Sequence, residues 1–195
     1  MIVYHYSPTL RAGDRLDPGH QRLLTLCEPF IQALAYSRDC FFGMLFNGKY
    51  MFAVMDRSHL REWADYGKWA TEGVFEYVRK KEFPRCVSRL QCTYFCTDLD
   101  DVRRMYMEDW GEEEETERAK VHLFEVEVDA DRLERRDIAL FDAAYDAIHD
   151  AQDLDAALRY AKLYYQGECL ADPNWEYLSD EKALAVRDVT HLLKA

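Results

Sequence analysis

Val121-His122-Leu123-Phe124-Glu125-Val126-Glu127-Val128 is the stretch on which the fold turns. From Leu123 onward, apolar and acidic residues alternate, and a period of two predicts a half-buried strand with Glu125 and Glu127 on its wet side. Downstream, Phe141, Ala144, Tyr145 and Ile148 make one helix face, and Leu154, Ala157, Leu158, Ala161 and Tyr165 make another. Asp172-Pro173-Asn174 is a turn, followed by closing strands over residues 175–178 and 184–189. Upstream, residues 90–96 read as a strand rich in Thr, Tyr and Phe, and Asp98 caps a helix bearing Val102, Met105 and Tyr106. Residues 112–117, almost all acidic, are expected to be a solvated loop.

Nearer the N-terminus, Thr71-Glu72 is expected to open a helix that carries Phe75 and Val78, ends in Arg79-Lys80-Lys81 and stops at Pro84. Residues 50–55 read as a strand, and Ser58 as the start of a helix with Glu62 and Trp63. Leu23, Leu26, Phe30, Ile31, Leu34 and Ala35 predict a helix within 21–38, and Pro29 predicts a break in it. Residues 2–6 form a β-prone run that Ser7-Pro8 stops, with turns at Gly13-Asp14 and Asp17-Pro18-Gly19. The layout is a mixed α+β single domain over residues 1–195, without repeats or linkers. The segments from roughly 20 to 71 and from about 137 to 170 read as inserts between its strands.

Against 25 Lys and Arg stand 37 Asp and Glu, a net charge of −12, which repels phosphate backbones and argues against non-specific nucleic-acid binding. Aromatic residues at 14% supply wall material for a pocket. No apolar run reaches the roughly 18 to 20 residues of a membrane helix, and no secretory signal opens the chain, so a cytoplasmic setting, in its own cell or a host's, is expected. None of the cysteines, Cys27, Cys40, Cys86, Cys92, Cys96 and Cys169, forms a Cys-x-x-Cys pair, so reduced thiols and no metal site are expected. The chain lacks G-x-G-x-x-G, G-x-x-x-x-G-K-[ST], G-x-S-x-G and H-E-x-x-H, which removes the nucleotide and hydrolase sites built on those patterns.

Tyr4-His5-Tyr6-Ser7-Pro8, with Leu10, Gly13, Leu16 and Pro18-Gly19 after it, resembles the opening strand and loop of ADP-ribosyltransferase-fold proteins of the His–Tyr–Glu class. Tyr94-Phe95-Cys96-Thr97-Asp98, running on to Tyr106, is similar to that class's middle strand and following helix. Trp175-Glu176-Tyr177-Leu178, then Leu184, Val186 and Val189, is similar to its late Glu-bearing strand and the strand after it. Glu76-x-x-Arg79-x-x-x-Phe83-Pro84, with Ser88-Arg89-Leu90-Gln91, resembles a bacterial uncharacterised family, DUF2441-like, that goes with the same fold. These islands cover about a third of the chain, and their order carries the resemblance.

The resemblance implies a split β-sheet core with inserted helices and a mono-ADP-ribosyltransferase. Such an enzyme moves ADP-ribose from NAD⁺ to a macromolecular acceptor, expected to be protein. It implies Glu176, His5 and Tyr94 as catalytic residues and His5, Tyr6, Ser7, Arg89, Tyr94 and Tyr106 as NAD⁺-binding residues. Breaking the bond from ribose to the cationic nicotinamide passes through an oxocarbenium-like state, which the carboxylate of Glu176 would stabilise. Tyr94 and Tyr106 would face the nicotinamide ring, the backbone of Tyr6 its carboxamide, and His5 the adenosine-side ribose, with Ser7 and Arg89 for ribose and phosphate. Glu181 competes with Glu176 for the acidic role. Each residue also has a plain alternative: His5 as a structural hydrogen-bonder, Tyr94 as core, Glu176 as a strand-surface residue. Two departures stand out: Tyr6 replaces a small Gly after the His, and Leu90-Gln91-Cys92-Thr93 stands where many members carry Gly-x-Gly. NAD⁺ glycohydrolysis and a non-catalytic acidic binding module on the same fold are the alternatives.

Overall fold

The computed structural model describes residues 1–19, 21–47 and 66–193. The strand expected over 50–55 and the helix expected from Ser58 lie outside the described residues. The alternating stretch is strand β4 (His122–Glu127), and it is paired on both edges. On one side β1 (Ile2–Ser7) runs antiparallel to it, with Val3 opposite Val126 and His5 opposite Phe124. On the other, β7 (Ala183–Asp188) is antiparallel, with a register shift between Glu125 and Val126. The short strand β2 (Arg15–Leu16) adds to β7, completing the order β1-β4-β7-β2. A second sheet has the order β3-β6-β5, from β3 (Thr93–Phe95), β6 (Trp175–Ser179) and β5 (Glu134–Asp137). The architecture is mixed α+β, with seven helices among the described residues.

These strands belong to the first of two compact units, made of residues 1–19, 92–135 and 174–195. Alternation in β4 sends Phe124 and Val126 into a cluster with Val3, Leu16, Phe95, Ala183 and Ala185, while Leu123 joins Cys96, Val102 and Val189. Helix α4 (Leu99–Trp110) belongs to this unit, and Asp98 caps it by accepting from the Asp100 amide, as its position before the apolar face predicts. The acidic stretch expected as a loop contains one helical turn, α5 (Glu115–Arg118), and Lys120 neutralises Glu117 at 2.6 Å. The strand expected over 90–96 shortens to β3, because Arg89–Gln91 coil into a 3₁₀ turn in which Ser88 Oγ accepts from the Leu90 amide. Strand β5, Glu-Arg-Arg-Asp, has no apolar alternation to announce it; Arg135 instead covers the Trp175 ring from 4.2 Å.

The second unit, residues 20–91 and 136–173, gathers the two sequence inserts into one helical body. It holds α1 (Gln21–Tyr36), α2 (Arg38–Phe46), α3 (Tyr66–Glu82), α6 (Ala139–His149) and α7 (Leu154–Gln166). Pro29 does not break α1. A mid-helix proline costs about 3 kcal/mol, and burial of Leu26, Cys27, Phe30, Ile31, Ala33 and Leu34 along the helix offsets that cost. Ser37 then starts α2, its Oγ accepting from the Cys40 amide at 3.0 Å. Thr71-Glu72 lie inside α3, where the helix's own backbone satisfies one and a distant arginine the other. Thr71 donates back to the Gly67 carbonyl, and Glu72 accepts from Arg89. Gly73 is required where α3 meets α1, since a Cβ there would lie 2.9 Å from Phe30 Cβ.

Two buried carboxylates of this unit, Glu72 and Glu76, are paired with arginines. Arg89, 4% exposed, donates to both Glu72 oxygens and to the Tyr164 hydroxyl, and its guanidinium lies 4.6 Å from the Phe141 ring centre. Glu76, 1% exposed, accepts from Arg79 and Ser88. Deleting one partner of such a pair strands the other charge away from water, whereas apolar replacement of both removes that penalty. Arg89→Ala is therefore expected to destabilise the protein by about 3–5 kcal/mol, and Arg89→Met combined with Glu72→Met to recover most of that loss. Urea unfolding of the two variants beside wild type checks both outcomes.

Candidate functional site

The geometry that matters begins with backbone direction in β1. Tyr4 N–H donates to the Cys96 carbonyl at 2.8 Å and Cys96 N–H to the Tyr4 carbonyl at 3.0 Å, an antiparallel bridge that joins β1 to the end of β3. The bridge is isolated: β1 and β3 pair at this one point and diverge beyond it. In an antiparallel strand, alternate residues turn their N–H and C=O to the same edge. Tyr6 therefore turns its backbone donor and acceptor to the same edge as Tyr4, where the ladder has stopped. Continued pairing would have set Tyr6 opposite Tyr94. Instead, His5 Nδ1 donates to the Tyr94 carbonyl at 2.8 Å. Because a carbonyl only accepts, that bond places a proton on Nδ1 and fixes the orientation of the ring.

β6 lies on the far side of β3, antiparallel, with Tyr94 opposite Leu178 and Phe95 opposite Tyr177. The same register brings Glu176 opposite Cys96. Side chains of a strand alternate between faces, so Tyr94, Cys96, Glu176 and Leu178 share one face and Phe95 and Tyr177 the other. Glu176 is fully buried there. Cys96 feels its charge: burial first, then Asp101 and Glu176, push the Cys96 thiol up to about 12. Helix α4 covers this face, packing Val102 and Met105 against Cys96, whose Sγ is 3.5 Å from Met105 Sδ. Tyr4 and Tyr6 pack on the same cluster. Tyr106, further along α4, meets the Tyr6 ring edge-on at 6.1 Å, and its hydroxyl donates to the Arg118 carbonyl.

The other site residues named from sequence are placed as follows. His5 leaves β1 on the side away from Tyr4 and meets the Phe95 ring edge-on at 5.9 Å. Ser7 is half-buried at the end of β1, and its Oγ accepts from the Thr9 and Leu10 amides, closing the turn. Arg89 lies in the helical unit, and its guanidinium bonds Glu72 and Tyr164 there. Glu181 lies past the end of β6, exposed, and pairs with Arg132 at 2.7 Å. Of the two carboxylates, Glu176 is the one within the strand beside β3. The structure thus puts Tyr94 and Glu176 on the face of Cys96, packs Tyr6 on the Cys96 cluster with Tyr106 against Tyr6, adds His5 through the Tyr94 carbonyl, and leaves Ser7 and Glu181 in turns. Asp109, one helical step beyond Tyr106, escaped the sequence reading; its Oδ2 accepts from the Tyr6 hydroxyl at 2.5 Å. Its i, i+3 spacing from Tyr106 was the available signal.

Among the described residues, no group of three or more His, Cys, Asp or Glu is arranged to hold a metal, and no helix is long and apolar enough to cross a membrane. Burial of the Cys96 thiol makes it a poor nucleophile. Alkylation of the native protein at pH 8 is expected to label the exposed Cys40 and Cys169 and to leave Cys27, Cys92 and Cys96 unmodified until the chain is unfolded, as peptide mass mapping will report.

No curated protein matches the chain. A family model described as "Protein of unknown function (DUF2441)" matches residues 43–190, well over half of the chain. The match takes in Tyr94, Tyr106, Asp109 and Glu176, and it begins after β1. The chain belongs to the family of proteins of unknown function DUF2441.

Proposed function

We propose that this protein has an ADP-ribosyltransferase-type split sheet and transfers a single ADP-ribose from NAD⁺ to a macromolecular acceptor, with protein as the expected class. The observation that carries the reading is the parting of β1 from β3 just beyond the Tyr4–Cys96 bridge. The bridge itself and the β3–β6 ladder make the strands bearing His5, Tyr94 and Glu176 successive neighbours, and the end of the pairing leaves the backbone edge at Tyr6 between them. A nicotinamide carboxamide needs one donor and one acceptor side by side, which is what an unpaired strand edge offers. Tyr94 and Tyr106 are the aromatic faces near that edge.

In this mechanism the bond from ribose C1′ to the nicotinamide nitrogen breaks and nicotinamide leaves with the electron pair. Glu176 stabilises the positive charge that develops on the ribose, from a site where low dielectric strengthens the effect. The acceptor nucleophile then bonds to C1′ and gives up its proton, for which Glu176 is the nearest base by this reading. His5 is oriented by its Nδ1 bond to the Tyr94 carbonyl and, by this reading, hydrogen-bonds the adenosine-side ribose.

The test is incubation of the full chain with NAD⁺ labelled in the adenylate, together with a cell lysate, while released nicotinamide is quantified. Wild type is expected to release nicotinamide and to label macromolecules. Glu176→Gln, folded by its melting curve, is expected to lose at least about 100-fold in rate. Release without label would redirect the reading to NAD⁺ hydrolysis. Absence of both release and label at millimolar NAD⁺ would end it.

A further inference from the structure

We infer that Tyr6 is a latch over the candidate nicotinamide slot, held shut by Asp109 and opened when a dinucleotide binds; this rests on the transferase reading above. Three observations meet here. Glu176 has no exposed surface, so a ribose reaches its carboxylate only after something covering it moves. Cys96, which lies opposite Glu176 across the sheet, is packed under the Tyr6 and Met105 side chains. Tyr6 also meets the Tyr106 ring edge-on, with ring centroids 6.1 Å apart.

The tether is a single bond. Tyr6 Oη donates to Asp109 Oδ2 at 2.5 Å, near the C-terminal end of α4, and this bond is exposed to solvent. Partial burial of the Tyr6 ring and the Asp109 carboxylate beside its hydroxyl raise the Tyr6 phenol above its ordinary range, so it is the donor of the bond. An exposed hydrogen bond to a carboxylate is strong enough to bias a side chain and weak enough to exchange with water. A small residue at position 6 would leave the Tyr106 ring and the Cys96 cluster without the cover that the Tyr6 ring supplies. Tyr6 instead makes this chain select ligands able to displace it, and the closed state lowers apparent affinity by the fraction of molecules that are open.

Calorimetric titration of NAD⁺ into the full-length protein tests the latch with wild type, Tyr6→Phe and Asp109→Ala. Tyr6→Phe keeps the ring and removes the tether; Asp109→Ala removes it from an exposed helix position and leaves β1 intact. Both variants are expected to bind NAD⁺ about tenfold more tightly than wild type, with melting temperatures equal to or below it. A purely structural role would lower stability without raising affinity, so the opposite movement of the two readouts identifies a latch. Equal or weaker binding by both variants, with wild type binding, overturns the latch and leaves the transferase reading standing. No heat from any of the three proteins overturns both.

Discussion

Two backbone hydrogen bonds between Tyr4 and Cys96 tie the two sheets of the strand-rich unit together at one point. Everything proposed for the site depends on that pairing stopping where it does. Were it to continue by one more residue pair, Tyr6 and Tyr94 would satisfy each other and the strand edge would close. The imidazole of His5 helps to prevent this by taking the Tyr94 carbonyl, the acceptor Tyr6 would have used. Packing supports the same outcome. Phe95 lies in the cluster that includes Val3 and Phe124, while Cys96 lies in the cluster with Leu123 and Val102. The end of β3 is thus anchored on both of its faces, and its position relative to β1 is set by side chains more than by ladder bonds.

The helical unit rests on a different constraint. Its interior holds carboxylates at Glu72 and Glu76, which are tolerated because Arg89 meets the first and Arg79 and Ser88 the second, while the Tyr164 hydroxyl accepts from Arg89. Aromatic rings enclose the network: Phe75 packs on Phe141 at 5.1 Å and edge-on to Tyr164 at 5.2 Å. A low-dielectric surround makes each of these bonds stronger and each missing one costlier. Arg89, read from sequence as a phosphate ligand, here joins the 3₁₀ turn before β3 to α3 and α7.

Strands with one wet face were legible in the sequence, because Glu125 and Glu127 report the pleat directly; helices α4, α6 and α7 were legible for the same reason at the helical period. What escaped was decided at longer range. Strand β5 is polar on both faces and exists through its neighbours, with Arg135 lying on Trp175. Thr71 and Glu72 look like an N-cap, yet Gly67 and Arg89 satisfy them inside a longer helix. Pro29 sits in a helix whose buried stripe outweighs it. At the candidate site, the order of His5, Tyr94 and Glu176 along the chain was readable, and their strands are spatial neighbours. The Tyr6–Asp109 bond spans 103 positions and could not be read.

The two units interleave along the chain, and this has a consequence for biosynthesis. The helical unit closes its last segment at Pro173, before either β6 or β7 has been made. In chain order the helical body is therefore complete while the strand unit still lacks the partner of β3 and the inner neighbour of β2. During that interval β1 can pair with β4, but one edge of β4 remains open until β7 arrives. The carboxylate of Glu176 enters after every segment of the helical unit, so the region that would handle a ligand is completed later along the chain than that body.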